Sequence, residues 1–159
     1  MFSSVVVFME NRAGKLAEIT KILAVKNINI LNLSIDDSGQ FGILRLIVDK
    51  PEKAREVLYN ANYKAALEKI IFVELKDEIG AFAEFLSILD EEKINISQAS
   101  GSVIDLGNKA IFTVMSDDPE HLLKVLKESD INIIDNIEEF LAGIDDNIEY
   151  PVNKKYILD

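Results

Sequence analysis

Two short bends in the chain carry the residues that are best placed to bind a small molecule. Residues 10–16 have the sequence ENRAGKL and residues 76–82 the sequence KDEIGAF. Each bend follows an apolar run and precedes a run with helical spacing, which predicts a strand, a turn and a helix N-terminus. The first N–H groups of a helix have no intrahelical partner, and a glycine lets another group approach the backbone closely. Such a bend favours binding of a carboxylate or a phosphate.

The two bends belong to an internal repeat. Gly14 and Gly80 are separated by 66 residues, as are the tripeptides 28–30 and 94–96, both Ile-Asn-Ile. A period of this length predicts a duplicated small domain rather than a solenoid. We therefore predict one domain over residues 1–69, a second over residues 70–143, and a C-terminal tail over residues 144–159 without a counterpart.

Each repeat predicts the order β-α-β-β-α-β, which defines an α+β protein with antiparallel sheets. The first repeat has strand patterns at residues 5–9, 28–35, 41–48 and 63–68, and helix patterns at 15–26 and after Pro51. The second has strand patterns at residues 70–75, 94–103, 109–115 and 133–140, and helix patterns after Gly80 and after Pro119. The second hairpin is two residues longer than the first.

The central strands do not alternate between apolar and polar residues. Residues 5–8 (VVVF) and 70–73 (IIFV) are apolar on both sides, whereas a sheet with one face in water should alternate. We therefore expect the second face of each sheet to be buried as well. The sheets would pack on each other, or the chain would form a homodimer through them.

The composition excludes several classes of function. The chain has 17 basic and 28 acidic residues and a net charge of −11, so nucleic acid is a poor partner. It has no cysteine and one histidine, His121, so no metal site or other cofactor is predicted. We find neither a signal peptide nor an apolar run long enough to span a membrane, and we predict a cytoplasmic protein without a membrane partner.

The motif Glu-Asn-Arg-x-Gly-x-Leu at residues 10–16, with Asn-Ile-Asn-Ile at 27–30, resembles the ACT domain, a regulatory module that binds small molecules in amino-acid metabolism. The first repeat is similar to the ACT domain of phosphoglycerate dehydrogenase, although Ala13 stands where that domain has proline. Residues 1–143 together resemble free-standing tandem ACT proteins. The resemblance implies two ferredoxin-like units.

The resemblance also implies an amino-acid ligand between the bend of one domain and the second strand of an adjacent domain. The turn asparagine would grip the ligand while backbone groups hold its carboxylate and ammonium. Asp77 replaces that asparagine in the second bend and, when ionised, accepts but cannot donate hydrogen bonds. The ligand-binding residues implied in this way are Asn11, Arg12, Ala13, Gly14, Lys15, Leu16, Asn29, Ile30, Asp77, Glu78, Ile79, Gly80, Ala81, Phe82, Asn95 and Ile96.

Each of these residues also has a structural interpretation. Asn11 and Asp77 are suitable side chains for capping a helix N-terminus. Arg12 is one of three arginines in an acidic chain, for which a solvated or salt-bridged role is typical. Asn29 and Asn95 can serve loop hydrogen bonds alone. Phe82 lies at core spacing from Phe85.

Three alternatives to an amino-acid sensor remain at this stage. Acylphosphatases have the same element order, but their glycine-rich phosphate loop is absent, and no nucleophile–base pair is found, so we predict a non-enzyme. RNA-recognition motifs also share the order, but the aromatic residues Phe8, Phe41 and Phe112 are scattered. The third alternative is an assembly module that binds a partner enzyme of amino-acid metabolism without a small ligand.

Overall fold

The computed structural model describes residues 1–37, 39–104 and 109–135, with backbone alone at 102–104. The chain divides into two compact units, Met1–Ile71 (unit 1) and Phe72–Asp159 (unit 2). Each unit is an antiparallel sheet with two helices, and the β-α-β-β-α-β order predicted from the sequence is confirmed in both. The domain limits at residues 69, 70 and 143 stay predictions.

Unit 1 contains the first six elements of the chain. Its sheet has the order β2-β3-β1-β4, in which all neighbours are antiparallel. The elements are β1 (Phe2–Glu10), α1 (Lys15–Val25), β2 (Ile30–Asp37), β3 (Phe41–Val48), α2 (Pro51–Asn60) and the first part of β4 (Lys64–Lys76).

Unit 2 repeats this arrangement from the second part of β4 onward. Its strands have the order β5-β6-β4-β7. The elements after β4 are α3 (Ala81–Glu91), β5 (Ile96–Ile104), β6 (Lys109–Ser116), α4 (Pro119–Glu128) and β7 (Asn132–Ile134).

The strand β4 corrects one prediction. Separate strands were expected at residues 63–68 and 70–75, but residues 64–76 form one continuous strand of 13 residues. The segment contains neither glycine nor proline, so nothing in it favours a turn. Its first part pairs with β1, with Ile70 opposite Phe2, and its second part pairs with β7, with Phe72 opposite Ile134. Of the strand predicted at 133–140, residues 136–140 lie outside the described part of the chain, as does the tail at 144–159.

The core of unit 1 lies between one sheet face and the two helices. Alternate residues of β1, such as Val5 and Val7, point to this face opposite Leu46 and Leu44 of β3, and all four are fully buried. The apolar stripe of α1 and that of α2 complete the same cluster. Its helical members are Ile19, Leu23, Ala54 and Leu58.

The other face of the unit 1 sheet combines buried, charged and apolar positions. Ser4, Ile47 and Ile70 are buried there. At the end of the sheet near the first bend, Phe8 and Phe41 stack with ring centroids 5.0 Å apart and remain 44% and 43% exposed. The face is therefore not a solvated polar surface, in line with its lack of sequence alternation. The dimer expected through it stays a prediction.

Candidate ligand-binding site

Both bends use glycine in the left-handed region at the position that precedes the helix. Gly14 has φ of 89° and Gly80 has φ of 98°. No side chain caps α1 or α3, so the interpretation of Asn11 and Asp77 as helix caps is wrong. Glycine adopts this backbone geometry without the penalty that a Cβ atom would impose.

The bends leave backbone donors unpaired. Lys15 N–H donates to Arg12 O over 3.3 Å, and Ala81 N–H donates to Glu78 O over 3.2 Å. Within the described residues, the backbone N–H groups of the next two residues of each helix have no hydrogen-bond acceptor. These residues are Leu16 and Ala17 in α1, and Phe82 and Ala83 in α3. No heavy atom beyond the two adjoining residues lies within 4 Å of where a Cβ would stand at either glycine. Donors and open space thus coincide at each bend, as anion binding requires.

The Asn11 side chain connects the first bend to the β2–β3 hairpin. Its Nδ2 donates to Asp37 Oδ1 over 2.9 Å and to Gly39 O over 3.1 Å. Its backbone N–H donates to Gln40 O over 3.0 Å. Both amide protons are therefore used inside unit 1, and the carbonyl Oδ1 is the atom that Asn11 can offer to a ligand.

Arg12 forms an exposed ion pair rather than pointing at the helix N-terminus. Its Nε lies 2.7 Å from Glu10 Oε2, and both side chains are more than half exposed. The hydrogen bond to Glu10 raises the pKa of Arg12, and the same bond lowers the pKa of Glu10. Ala13, beside it, is exposed. The salt-bridged alternative for Arg12 is thus the arrangement observed.

Lys15 belongs to a cluster with Glu18 and Tyr63. Its Nζ lies 3.0 Å from Glu18 Oε2, 3.4 Å from Tyr63 Oη and 5.3 Å from the centre of the Tyr63 ring. The hydrogen bond to Glu18 raises the pKa of Lys15, while hydrogen bonds with Tyr63 and then Lys15 lower the pKa of Glu18. Leu16 packs against the core. In unit 1, therefore, these side chains serve the fold.

Asn29 and Ile30 lie at the other end of the unit 1 sheet from Asn11. Ile30 pairs with Val48, the last residue of β3, whereas Asn11 bonds to the residue before β3. The length of β3 separates the two ends by about 23 Å. Asn29 N–H donates to Asp49 Oδ1 over 2.9 Å. Residues 29 and 30 can therefore share a ligand with Asn11 only if another domain supplies one of the two groups.

The start of β5 in unit 2 also lies at the end of the sheet away from the bend. Asn95 Nδ2 donates to Asp117 Oδ2 over 3.2 Å, and Ile96 pairs with Ser116 at the far end of β6. Asn95 thus makes a loop hydrogen bond through its side chain, whereas the bonds of Asn29 to Asp49 use its backbone. A ligand contact for either asparagine stays a prediction.

The second bend borders a cavity of about 490 Å³ within unit 2. The bend contributes Glu78, Ile79 and Ala81, and α3 contributes Glu84, Phe85 and Ile88. The segment between α4 and β7 contributes Asp130, Ile131 and Asn132. Asp77 is exposed beside it, and Phe82 stacks on Phe112 at 4.5 Å between ring centroids. The volume is in the range of small-molecule sites.

Glu74, at the wall of this cavity, is held by two donors. Lys109 Nζ lies 2.9 Å from its Oε1, and Asn132 Nδ2 donates to the same atom over 3.1 Å. Burial of Glu74 raises its pKa, but the bonds from Lys109 and Asn132 outweigh that effect, and the net result is a lowered pKa. Glu74 is therefore an anion whose charge is already neutralised.

Most residues of this cavity were not predicted from the sequence as site residues, among them Glu74, Lys109, Asp130 and Ile131. Comparing the repeats position by position provides a signal for two of them. With the offset of 68 residues that follows the longer hairpin, Ile131 corresponds to Tyr63 and Lys109 to Phe41. Both pairs differ strongly in size or charge.

Two classes of site are not found in the described part of the chain. No group of three or more acidic or histidine side chains there is arranged to hold a metal ion. No described helix is long and apolar enough to cross a membrane.

The described part of the chain thus contains two β-α-β-β-α-β units, each with a glycine bend before its first helix. The profile of the ACT domain pair matches residues 1–141. The chain belongs to this family, and the resemblance to tandem ACT domains is confirmed. The similarity of the first repeat to the ACT domain of phosphoglycerate dehydrogenase stays a prediction. No curated protein sequence matches the chain.

Solved structures share the fold over most of the chain. Protein BT0572 from Bacteroides thetaiotaomicron has a TM-score of 0.77 and 29% identity, covering 83% of this chain and 90% of that protein. The regulatory subunit of aspartate kinase from Thermus thermophilus has a TM-score of 0.59 and 16% identity, covering 79% and 91%. The same subunit from Thermus flavus has a TM-score of 0.55 and 17% identity, covering 79% and 90%. The last two show the fold alone.

Proposed function

We propose that this protein is a non-catalytic sensor that binds an amino acid at its bends and regulates an enzyme of amino-acid metabolism. The observation that carries the proposal is the pair of open helix N-termini at Gly14 and Gly80, each with unpaired N–H donors. An α-carboxylate is an anion of suitable size for these donors. Membership of the ACT domain pair family supports the regulatory role.

The side chains near the bends favour binding over catalysis. Among the described residues, the two charged side chains of the first bend are committed to ion pairs, Arg12 with Glu10 and Lys15 with Glu18. Neither arrangement aligns a nucleophile with a base. The acylphosphatase alternative would require a free arginine at the bend.

The regulatory mechanism would be a shift between domain arrangements. A ligand that binds one arrangement more tightly stabilises it by the difference in binding free energy. Coupling of about 1–3 kcal/mol is usual for such systems. We infer that the responding arrangement is a homodimer, because the stacked pair Phe8 and Phe41 leaves an exposed apolar area at the sheet end near the first bend.

A thermal-denaturation panel with the twenty amino acids at millimolar concentration tests the proposal. A ligand present at 100 times its dissociation constant adds about 2.7 kcal/mol to the free energy of unfolding. One amino acid, or a small group of related ones, should raise the melting temperature. If none does so, and calorimetry detects no heat of binding, the sensor function is wrong and the assembly module remains.

A further inference from the structure

The two units differ at the groove between their first helix and last strand. In unit 1 the groove positions carry Lys15 and Tyr63, whose ammonium and ring contact each other at 5.3 Å. Tyr63 is 9% exposed and belongs to the core. By the offsets of 66 and 68 residues, unit 2 has Ala81 and Ile131 at these positions. An ammonium and an aromatic ring are thus replaced by a methyl group and a short aliphatic chain.

The residues that stand in unit 2 in place of Lys15 and Tyr63 line its cavity. Ala81 and Ile131 both border it, and Phe85 and Ile88 add apolar surface from α3. Because two large side chains are exchanged for smaller ones, we infer that the open volume of unit 2 corresponds to the volume that Lys15 and Tyr63 fill in unit 1. Unit 1 therefore shows which chemical groups this groove accommodates.

The carboxylate that pairs with the Lys15 ammonium in unit 1 has a counterpart in unit 2. Glu18 binds Lys15 Nζ at 3.0 Å in unit 1, and Glu84 is its counterpart in unit 2. Within the described residues, Glu84 has no ion-pair partner, and the same is true of the neighbouring Asp130. The cavity has four carboxylates and two lysines, of which Lys109 is already paired with Glu74. This excess of negative charge selects a cationic group.

The remaining cation on the cavity wall is Lys76. Among the described residues it has no carboxylate partner, and it lies at the end of β4 beside the second bend. If a zwitterion places its ammonium against Glu84, its carboxylate can pair with the Lys76 ammonium. Lys76 lies on the side of the cavity where α3 begins.

We propose that unit 2 binds, within its own groove, an amino acid with an apolar side chain, and that unit 1 mimics the occupied state. The ligand's ammonium takes the place of the Lys15 ammonium, against Glu84. Its aliphatic or aromatic side chain takes the place of the Tyr63 ring, against Phe85, Ile88 and Ile131. Acidic amino acids are excluded because a second carboxylate would face Glu84 and Asp130. This inference rests on the proposed function and specifies the site and the ligand class.

Isothermal titration calorimetry on the full chain tests it, with L-leucine, L-phenylalanine and L-glutamate as probes. The wild type should bind leucine or phenylalanine and not glutamate. The double variant Ala81→Lys/Ile131→Tyr installs the unit 1 pair in unit 2 and should abolish binding. Glu84→Gln should weaken it about tenfold, because a charge-assisted bond becomes a neutral one. Glu91→Gln, at the end of α3 and away from the cavity, is the matched control and should bind as the wild type does.

The outcomes separate this site from the general sensor function. If the double variant folds, as judged by circular dichroism and its melting temperature, and still binds leucine or phenylalanine normally, the groove is not the site. Preference for glutamate, or failure of both apolar probes, also overturns the inference. In those cases the sensor function survives if any amino acid stabilises the protein, and Asn11→Ala then shows whether the first bend binds it. The sensor function fails only if no amino acid binds.

Discussion

Lys109 Nζ lies 2.9 Å from Glu74 Oε1 in unit 2, at the positions where unit 1 stacks Phe41 on Phe8. The same sheet position thus holds an ion pair in one repeat and an aromatic pair in the other. An ion pair responds to pH and salt, whereas an aromatic pair favours contact with another apolar surface. The two repeats should therefore differ in what they do at this end of the sheet.

Lys109→Met should reduce stability at neutral pH and flatten its acid dependence. The pKa of Glu74 is lowered from 4.5 by the bonds that outweigh its burial. A carboxylate with a lowered pKa stabilises the folded state above its unfolded pKa, and this contribution is lost as pH falls below 4.5. Since Lys109 is half exposed, the effect should be at most about 1 kcal/mol.

Urea denaturation across the acid range measures this contribution. Lys124→Met, which removes an exposed lysine from α4, is the control and should leave the acid dependence unchanged. Equal pH profiles for wild type and Lys109→Met would show that the pair does not stabilise the fold.

Phe41→Glu should convert the inferred homodimer into a monomer. The substitution places a charge on the exposed aromatic pair, where a partner surface would have to desolvate it. Light scattering should give twice the chain mass of 17.8 kDa for the wild type and the single mass for the variant. Tyr59→Glu, at an α2 position that is 68% exposed, should stay dimeric. A monomeric wild type would rule out the dimer.

Asn11→Ala should both destabilise unit 1 and remove any ligand effect at the first bend. It deletes the two hydrogen bonds to Asp37 and Gly39, for a loss of about 1 kcal/mol of stability at this exposed site. Asn60→Ala, at the exposed end of α2 and outside the set of implied ligand-binding residues, is the matched control. Thermal denaturation with and without amino acids separates the two effects. If the ligand-induced shift is unchanged in Asn11→Ala, the first bend does not bind.

Gly14→Ala and Gly80→Ala should each cost about 1–2 kcal/mol of stability. No atom lies near the added Cβ at either position, so the cost comes from the backbone angles of 89° and 98° rather than from a clash. Gly14→Asn should cost less, because asparagine tolerates positive φ better than alanine. Chemical denaturation ranks the variants, and an unaffected Gly14→Ala would mean that the bend relaxes to another conformation.

The sequence predicted elements most accurately where turn residues mark their ends. The start of α1 after Gly14 and both ends of β3 were placed as observed, because glycine and the change of period define them locally. The break within β4 was wrong because the repeat suggested a boundary where the chain has no turn residue. The order of elements thus followed from local pattern, and the continuity of β4 did not.

The candidate site likewise has features that the local sequence predicts and features that it does not. The bends were predictable, because a glycine before a helix has one geometric consequence. The hydrogen bonds of Asn11 to residues 37 and 39 depend on the hairpin that folds back beside it, about 28 residues further along the chain. The cavity depends on the contact between α3 and the segment before β7, which no local pattern describes. Comparing Tyr63 with Ile131 points to the cavity, but the two residues can be paired only after the strand registers have aligned the two repeats.

Gly101→Ala should destabilise unit 2 by about 1–3 kcal/mol through overpacking. The cross-strand partner of Gly101 is Phe112, whose Cε1 would lie 2.5 Å from the new Cβ. The ring cannot simply move away, because it is stacked on Phe82 at the start of α3.

Phe112→Leu removes the ring, and leucine is the residue that unit 1 has at this position, Leu44, opposite Ile35. The double variant Gly101→Ala/Phe112→Leu should therefore be more stable than the sum of the single effects predicts. Denaturation of the four proteins gives this coupling energy, and strict additivity would show that the aromatic stack does not enforce glycine at residue 101.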